Sequence, residues 1–164
     1  MRQLLTNFFL ATCVVLAACA GMPTPGIRVI GAGTLTAEKM TPIPALDALA
    51  GKMIVIAGVR LERETKVVLG IQGTLFGFIY QVEGMPPGSI VTLRARTIYP
   101  RGLTNPATGR RAAYDEFEVQ CSVGATCTRG RYFSQTWELV PGVWALELWA
   151  GDTLLVRREF DVVP

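Results

Sequence analysis

Residues 141–163 read PGVWALELWAGDTLLVRREFDVV, and this stretch decides the fold class. Every second residue from Trp144 to Leu148 is large and apolar, which is typical of a β-strand with one buried face. Gly151-Asp152 is a turn signal directly after this strand. The stretch therefore predicts a β-hairpin whose second strand covers residues 153–163.

The same alternation continues through the chain from residue 27, with glycine or proline turns about every 8–14 residues. This pattern gives about seven to nine short, half-buried strands. It therefore predicts one all-β domain over 27–164. The predicted architecture is an immunoglobulin-like antiparallel β-sandwich, and a closed barrel is the alternative. The remaining predicted strands are 27–36, 53–63, 65–71, 75–82, 90–98, 113–121, 131–139 and the strand that begins at Trp144.

Two segments interrupt this pattern. Residues 36–52 are predicted to be irregular, with one helical turn over 45–50, and residues 99–111 are predicted to be a long loop rich in proline and glycine. The side chains predicted to point into the core are Phe76, Phe78, Tyr80, Val91, Leu93, Phe117, Val119, Trp137, Leu139, Trp144, Leu146, Leu148, Phe160 and Val162.

The amino-terminal segment has the features of a targeting signal. A basic start, Met1-Arg2, precedes an apolar run over 4–18, which is too short for a transmembrane helix. The run ends in Leu16-Ala17-Ala18-Cys19, which resembles the lipobox of bacterial lipoproteins. An ordinary secretory signal is the alternative.

The lipobox resemblance implies that residues 1–18 are removed and that the thiol of Cys19 receives a diacylglyceryl group. Two or more acyl chains give stable membrane anchoring. Ala20 follows the cysteine, which in this family is typical of proteins sorted to the outer membrane. We therefore expect a lipid-anchored, periplasm-facing protein of the bacterial envelope, with residues 19–26 as the lipidated cysteine and its tether.

The other cysteines agree with export. Cys13 lies in the predicted signal peptide, so Cys121 and Cys127 form an even pair in the remaining domain. In an oxidising compartment this pair predicts a disulfide, and a redox-active pair is the alternative.

Composition excludes several kinds of site. The chain of 164 residues has no histidine, so histidine-based acid/base catalysis and most zinc or haem sites are excluded. A formal net charge of +3 makes a nucleic-acid partner improbable for an exported domain. The sequence predicts no catalytic residues, no metal ligands and no cofactor.

Three weaker candidates for a functional site are present. Asp115, Glu116 and Glu118 form the densest acidic cluster, which either supplies carboxylates for hydrolysis or is the solvated face of a strand. Trp149 is out of phase with Trp144 and is either an exposed partner contact or covered by residues 36–52. Seven arginines are the third candidate. They either form a patch that binds anionic lipids or cell-wall polymers, or lie separately on a solvated surface. They are Arg101, Arg110, Arg111, Arg129, Arg131, Arg157 and Arg158.

Several segments resemble a bacterial domain-of-unknown-function family, number 3859. They are GTLFG at 73–77, VEG at 82–84 with PG at 87–88, LTNPATG at 103–109, WELVPGVW at 137–144, Gly151 and FDV at 160–162. The resemblance covers about residues 55–164. It implies an exported β-rich domain without an established activity, and it supplies no catalytic residues.

These observations predict a non-enzymatic binding module of the envelope, anchored through Cys19. Its expected partners are the membrane, through the lipid, and an envelope protein or a cell-wall or lipid component. Residues 36–52 and 99–111 are the predicted binding regions. The alternatives are a carboxylate-based envelope hydrolase and a structural subunit of an envelope complex.

Overall fold

The structure is a computed structural model that describes residues 24–164. The predicted signal peptide and Cys19 lie outside the described residues. The strands are β1 (Gly26–Thr36), β2 (Lys39–Pro44), β3 (Lys52–Ala57), β4 (Arg60–Glu64), β5 (Val67–Leu69), β6 (Leu75–Glu83), β7 (Ile90–Thr104), β8 (Arg111–Ser122), β9 (Thr126–Tyr132), β10 (Gly142–Ala150) and β11 (Thr153–Val163).

Nine of these strands form two sheets that face each other. One sheet has the order β4-β1-β6-β9 and the other has the order β5-β11-β10-β7-β8. The pairing is antiparallel throughout, except that β5 is parallel to β11. The predicted antiparallel β-sandwich is therefore confirmed. Strands β2 and β3 form a separate two-stranded hairpin.

The core lies between the two sheets. Trp144 is fully buried at its centre, with the rings of Phe133 and Tyr99 at centroid distances of 5.3 Å and 5.2 Å. Burial of large side chains such as these supplies most of the free energy of folding, about 1.5–3 kcal/mol for each one. Of the predicted core residues, ten are buried, and Phe117, Val119, Trp137 and Leu139 are half-buried against the same cluster.

A disulfide joins Cys121 to Cys127, as predicted. Cys121 lies on β8 at the edge of the five-stranded sheet, and Cys127 lies on β9 at the edge of the four-stranded sheet. The bond therefore connects the two sheets where the chain crosses from one to the other. A disulfide that closes so short a loop contributes about 2 kcal/mol on the chain-entropy model.

The predicted strand over 131–139 is wrong. Strand β9 ends at Tyr132, and a short 3₁₀ turn follows at Thr136–Glu138. The cause is the buried carboxylate of Glu138, which accepts the backbone N–H groups of Ser134 and Gln135 at 2.7 Å and 2.8 Å. These bonds turn the chain back on itself, so that it cannot continue in the sheet.

The predictions for 36–52 and 53–63 are also wrong in part. Residues 39–44 are not irregular but pair with 52–57, and 45–50 form successive turns rather than a helical turn. Gly58, at φ +63°, ends β3, so that β3 and β4 belong to different sheets instead of forming one bent strand.

The predicted 99–111 loop is shorter than expected. Strand β7 continues to Thr104, across an irregularity in its register with β8 between Ile98 and Leu103. This bulge accommodates the proline at position 100, which lacks the N–H group that a regular ladder requires.

Candidate functional site

One side of the sandwich has a cavity between its edge strands. Strands β8 and β9 are consecutive in sequence but belong to different sheets, and the disulfide holds them together at one end. Beyond the disulfide, a cavity of about 740 Å³ lies along these two strands. We call it the edge cavity; its volume falls within the usual range for small-molecule sites.

The hairpin covers this cavity. The roof segment, defined as residues 39–57, comprises β2, β3 and the loop between them, and Ala48, Met53 and Ile54 are among the residues that line the cavity from above. A methyl group placed on Gly130 of β9 would lie 3.5 Å from the Cδ1 atom of Ile56. Strand β3 therefore packs closely over β9 at this position.

The loop of the roof segment is fixed through Leu49. This side chain is buried in the core. The backbone N–H of Leu49 donates to the Asp115 carboxylate at 3.1 Å, and its carbonyl accepts from the Asn105 amide at 2.9 Å. Arg110 adds a third contact, since its guanidinium donates to the carbonyl of Leu46 at 2.9 Å. Both segments predicted as binding regions therefore meet at one end of the cavity.

Arg129 is the charged group on the inner side of the cavity. It projects from β9 between the sheets, and only 4% of its surface is exposed. Its guanidinium donates to the Thr97 hydroxyl of β7 and to the Gly130 carbonyl at 3.0 Å, and it lies 4.9 Å from the ring centroid of Phe117. Its Nε atom has no hydrogen-bond partner among the described residues.

No carboxylate of residues 24–164 lies within 4 Å of the Arg129 guanidinium. The nearby Asp115 directs its oxygens to Leu49 instead. Burial, with a further contribution from the positive charge of Arg131, lowers the pKa of Arg129 to about 10. The guanidinium is therefore still charged at neutral pH, in surroundings that disfavour the charge.

Arg131, two residues further along β9, has a different role. Its guanidinium is paired with the Glu138 carboxylate at 2.6 Å, and it lies 5.7 Å from the ring centroid of Trp144. Glu138 is thus saturated by Arg131 and the two backbone N–H groups described above. This pair fixes the 3₁₀ turn and is part of the core.

Two tyrosines show how poorly solvated this interior is. Burial raises the pKa of Tyr80 to about 12. Burial also raises the pKa of Tyr99, and the neighbouring Asp115 carboxylate raises it further. Neither hydroxyl ionises at neutral pH. A charge placed in this interior is therefore weakly screened, and its interactions with other charges are strong.

The three carboxylates of the acidic cluster do not share a face of β8. Asp115 points between the sheets, whereas Glu116 and Glu118 point to the outer face, as alternation along a strand requires. Glu116 is paired with Arg96 at 2.8 Å, and Glu118 is exposed. The arrangement does not give the convergent pair of carboxylates that hydrolysis requires.

The seven arginines considered for a patch are also separated. Arg129 and Arg131 lie inside the sandwich, and Arg110 holds the roof segment. Arg157 lies on the outer face of the five-stranded sheet, where it pairs with the buried Glu147 at 2.6 Å, and its hydrogen bonds to Glu159 and Glu147 raise its pKa. Arg101, Arg111 and Arg158 are exposed.

Trp149 is half-buried on the same outer face. The guanidinium groups of Arg94 and Arg96 lie over its ring, at 5.7 Å and 5.1 Å from the centroid, and its indole N–H donates to Glu147 at 2.8 Å. These contacts, and not the roof segment, account for its burial.

The interior position of Arg129 was missed by the sequence reasoning, although a signal for it exists. Cys127 must face the other sheet to form its disulfide, and side chains alternate along a strand. Arg129 and Arg131, two and four residues later, therefore share the inward face. A disulfide partner followed by arginines at these spacings indicates buried guanidinium groups.

Comparison with known proteins supports the fold. No protein-family model matches the chain, and no curated protein matches it. The crystal structure of an immunoglobulin-like protein from Pseudomonas aeruginosa is similar over 87% of this chain and 100% of that one, with a TM-score of 0.58 and 26% identity. The chain therefore has an immunoglobulin-like β-sandwich. The resemblance to family 3859 stays a prediction.

Two further features concern residues 24–164 alone. No helix in this part of the chain is long and apolar enough to span a membrane. No group of three or more acidic or cysteine side chains within it is arranged to hold a metal ion.

Proposed function

We propose that this chain is a bacterial envelope lipoprotein whose β-sandwich binds a ligand in the edge cavity without transforming it. Cys19 carries the lipid, which anchors the protein in the outer membrane. The domain faces the periplasm. The anchor rests on the Leu16-Ala17-Ala18-Cys19 resemblance and on the disulfide, which agrees with an oxidising compartment.

The observation that carries the binding role is the edge cavity itself. Its lining includes apolar side chains from both the sandwich and the roof segment, such as Phe117 and Ile54. The cavity is a cleft that opens to solvent, and its volume of about 740 Å³ is within the usual range for small-molecule sites.

The roof segment supports the same role. It is joined to the sandwich mainly through its loop, by the hydrogen bonds to Leu49 and Leu46, and it has no ladder to either large sheet. A covering element of this kind shields a ligand from water while the rigid sandwich supplies the opposite wall.

The binding role is tested with Nile red, a neutral apolar dye, on the folded domain. We expect saturable binding to the wild type, and binding that is weaker by about tenfold in Val119→Phe and in Ala48→Phe, which fill the cavity from opposite walls. Leu154→Phe, at an exposed position of β11, is the matched control and should bind as the wild type does.

Two results would contradict the proposal. One is the absence of saturable binding to the wild type. The other is wild-type affinity in both filling variants when circular dichroism shows that they are folded. Two variants on opposite walls are used because either one alone could shift the strand that carries it.

A further inference from the structure

We infer that the edge cavity takes an amphiphilic anion, a carboxylate or a phosphate ester on an apolar chain, and that Arg129 binds its charged group. This inference rests on the proposed function, because it names the ligand class of the same cavity. It is carried by the burial of Arg129, its free donors and the lining of the cavity.

The donors of Arg129 are incompletely used. A guanidinium has five N–H groups. Thr97 and Gly130 each accept one hydrogen bond, and Nε has no partner among the described residues. A carboxylate or a phosphate accepts two parallel hydrogen bonds from such a group, which is why arginine is well suited to both.

The charge of Arg129 is also uncompensated at close range. Asp115 lies near Arg129 in the cavity, but the two groups do not form an ion pair, and the Asp115 carboxylate accepts the backbone N–H of Leu49. A buried charge without a direct partner is costly, and an anion that enters the cavity would relieve this cost. The other acidic group on the inner side, Glu138, is already paired with Arg131.

The remaining lining is mixed: polar and acidic side chains lie among apolar ones, and the apolar ones suit the rest of the ligand. Phe117 and Val119 of β8 and Met53, Ile54 and Ile56 of β3 provide an apolar surface along the cavity. An alkyl chain buries well against such a surface, at about 0.8 kcal/mol per methylene group in transfer terms. An inorganic anion alone would leave this surface uncovered, so an amphiphile fits better.

The test compares three ligands with the same alkyl chain: octanoate, octyl phosphate and neutral 1-octanol. Each is used to displace Nile red from the folded domain, with the two anions below their critical micelle concentrations and 1-octanol below its solubility limit. We expect at least one anion to bind the wild type at least tenfold more tightly than 1-octanol. A tighter octanoate points to a fatty carboxylate as the source, and a tighter octyl phosphate points to a phosphate ester.

The variant Arg129→Met keeps an unbranched, flexible side chain, although a shorter one, and removes the charge. We expect it to lose the preference for the anion, so that anion and alcohol bind within about threefold of each other. Arg101→Met, at an exposed arginine, is the control and should keep the preference.

The failures of the two proposals are distinguishable. If Nile red and 1-octanol bind and no anion binds more tightly than the alcohol, or if Arg129→Met keeps the preference, Arg129 only bridges the two sheets and this inference is wrong. If neither Nile red nor any octyl compound binds saturably, the proposed function itself is wrong.

Discussion

Arg129 lies between two sheets with a charge that no neighbouring carboxylate contacts directly. The Thr97 hydroxyl and the Gly130 carbonyl are neutral acceptors, and they offset only part of the desolvation that lowers the pKa of this arginine. For folding alone, an apolar side chain of the same length would fit this position better. A costly buried charge at the wall of a cavity is typical of a binding site.

We therefore predict that Arg129→Met increases the free energy of unfolding at pH 7 by about 1–3 kcal/mol, in the absence of ligand. The increase equals the desolvation penalty of the removed charge, minus the free energy of the hydrogen bond that Thr97 loses. Urea denaturation of the two proteins measures the difference. A variant that is less stable than the wild type would mean that the contacts of Arg129 outweigh its desolvation, and that the charge has a structural role.

At the scale of elements, the roof segment depends on one carboxylate. Asp115 accepts the backbone N–H of Leu49, whose side chain is itself in the core. The loop of the roof segment has no sheet pairing of its own, so this bond, the amide of Asn105 and the guanidinium of Arg110 determine where the loop lies. Loss of the acceptor leaves a buried N–H group without a partner, at a cost of about 1–3 kcal/mol.

We predict that Asp115→Ala accelerates hydrogen exchange at the Leu49 amide by about tenfold to a hundredfold, without a comparable effect on the amides of β6. Asp115→Asn should retain much of the protection, since its carbonyl oxygen accepts the same bond. Glu118→Ala, at an exposed position of the same strand, is the control. Unchanged exchange at Leu49 in Asp115→Ala would show that the loop is held by other contacts.

Local sequence patterns predicted most of the sandwich, because strands with one buried face alternate clearly. Phe76, Phe78 and Tyr80 on β6, and the hairpin that follows Trp144, are examples. Strand β2 was missed because Pro42 and Pro44 argue against a strand, and a two-stranded hairpin tolerates them where a central strand does not. The turn after β9 was missed because it depends on Glu138, whose partners become neighbours only when the chain folds back.

The candidate site was harder to predict from sequence than the fold. A cavity between strands of different sheets is a property of how the sheets meet, and no local pattern records it. The sequence did indicate Asp115, Arg129 and residues 36–52 as residues of interest, but as an acidic cluster, a surface patch and an irregular segment. Only the topology shows that all three contribute to one cavity.

At the scale of the whole molecule, the edge cavity lies two strands away from the amino-terminal strand of the described residues. Strand β1 begins at Gly26, a few residues after the proposed lipid site at Cys19. Its partner in the sheet is β6, which in turn pairs with β9 at the edge cavity. On the proposal that Cys19 carries the lipid, a short tether keeps the edge cavity within a few tens of ångströms of the membrane surface.

Native mass spectrometry of the protein extracted from its own membranes tests this combination of anchor and binding module most directly. We predict a chain that begins at Cys19 and carries acyl chains, with an additional small anionic molecule that is lost from Val119→Phe. Cys19→Ser is the control and should yield an unacylated chain that high salt releases from membranes. A wild-type chain that begins at Cys19 without acyl chains, or that retains residues 1–18, would contradict the anchor, and an acylated chain with no bound small molecule would contradict the binding role.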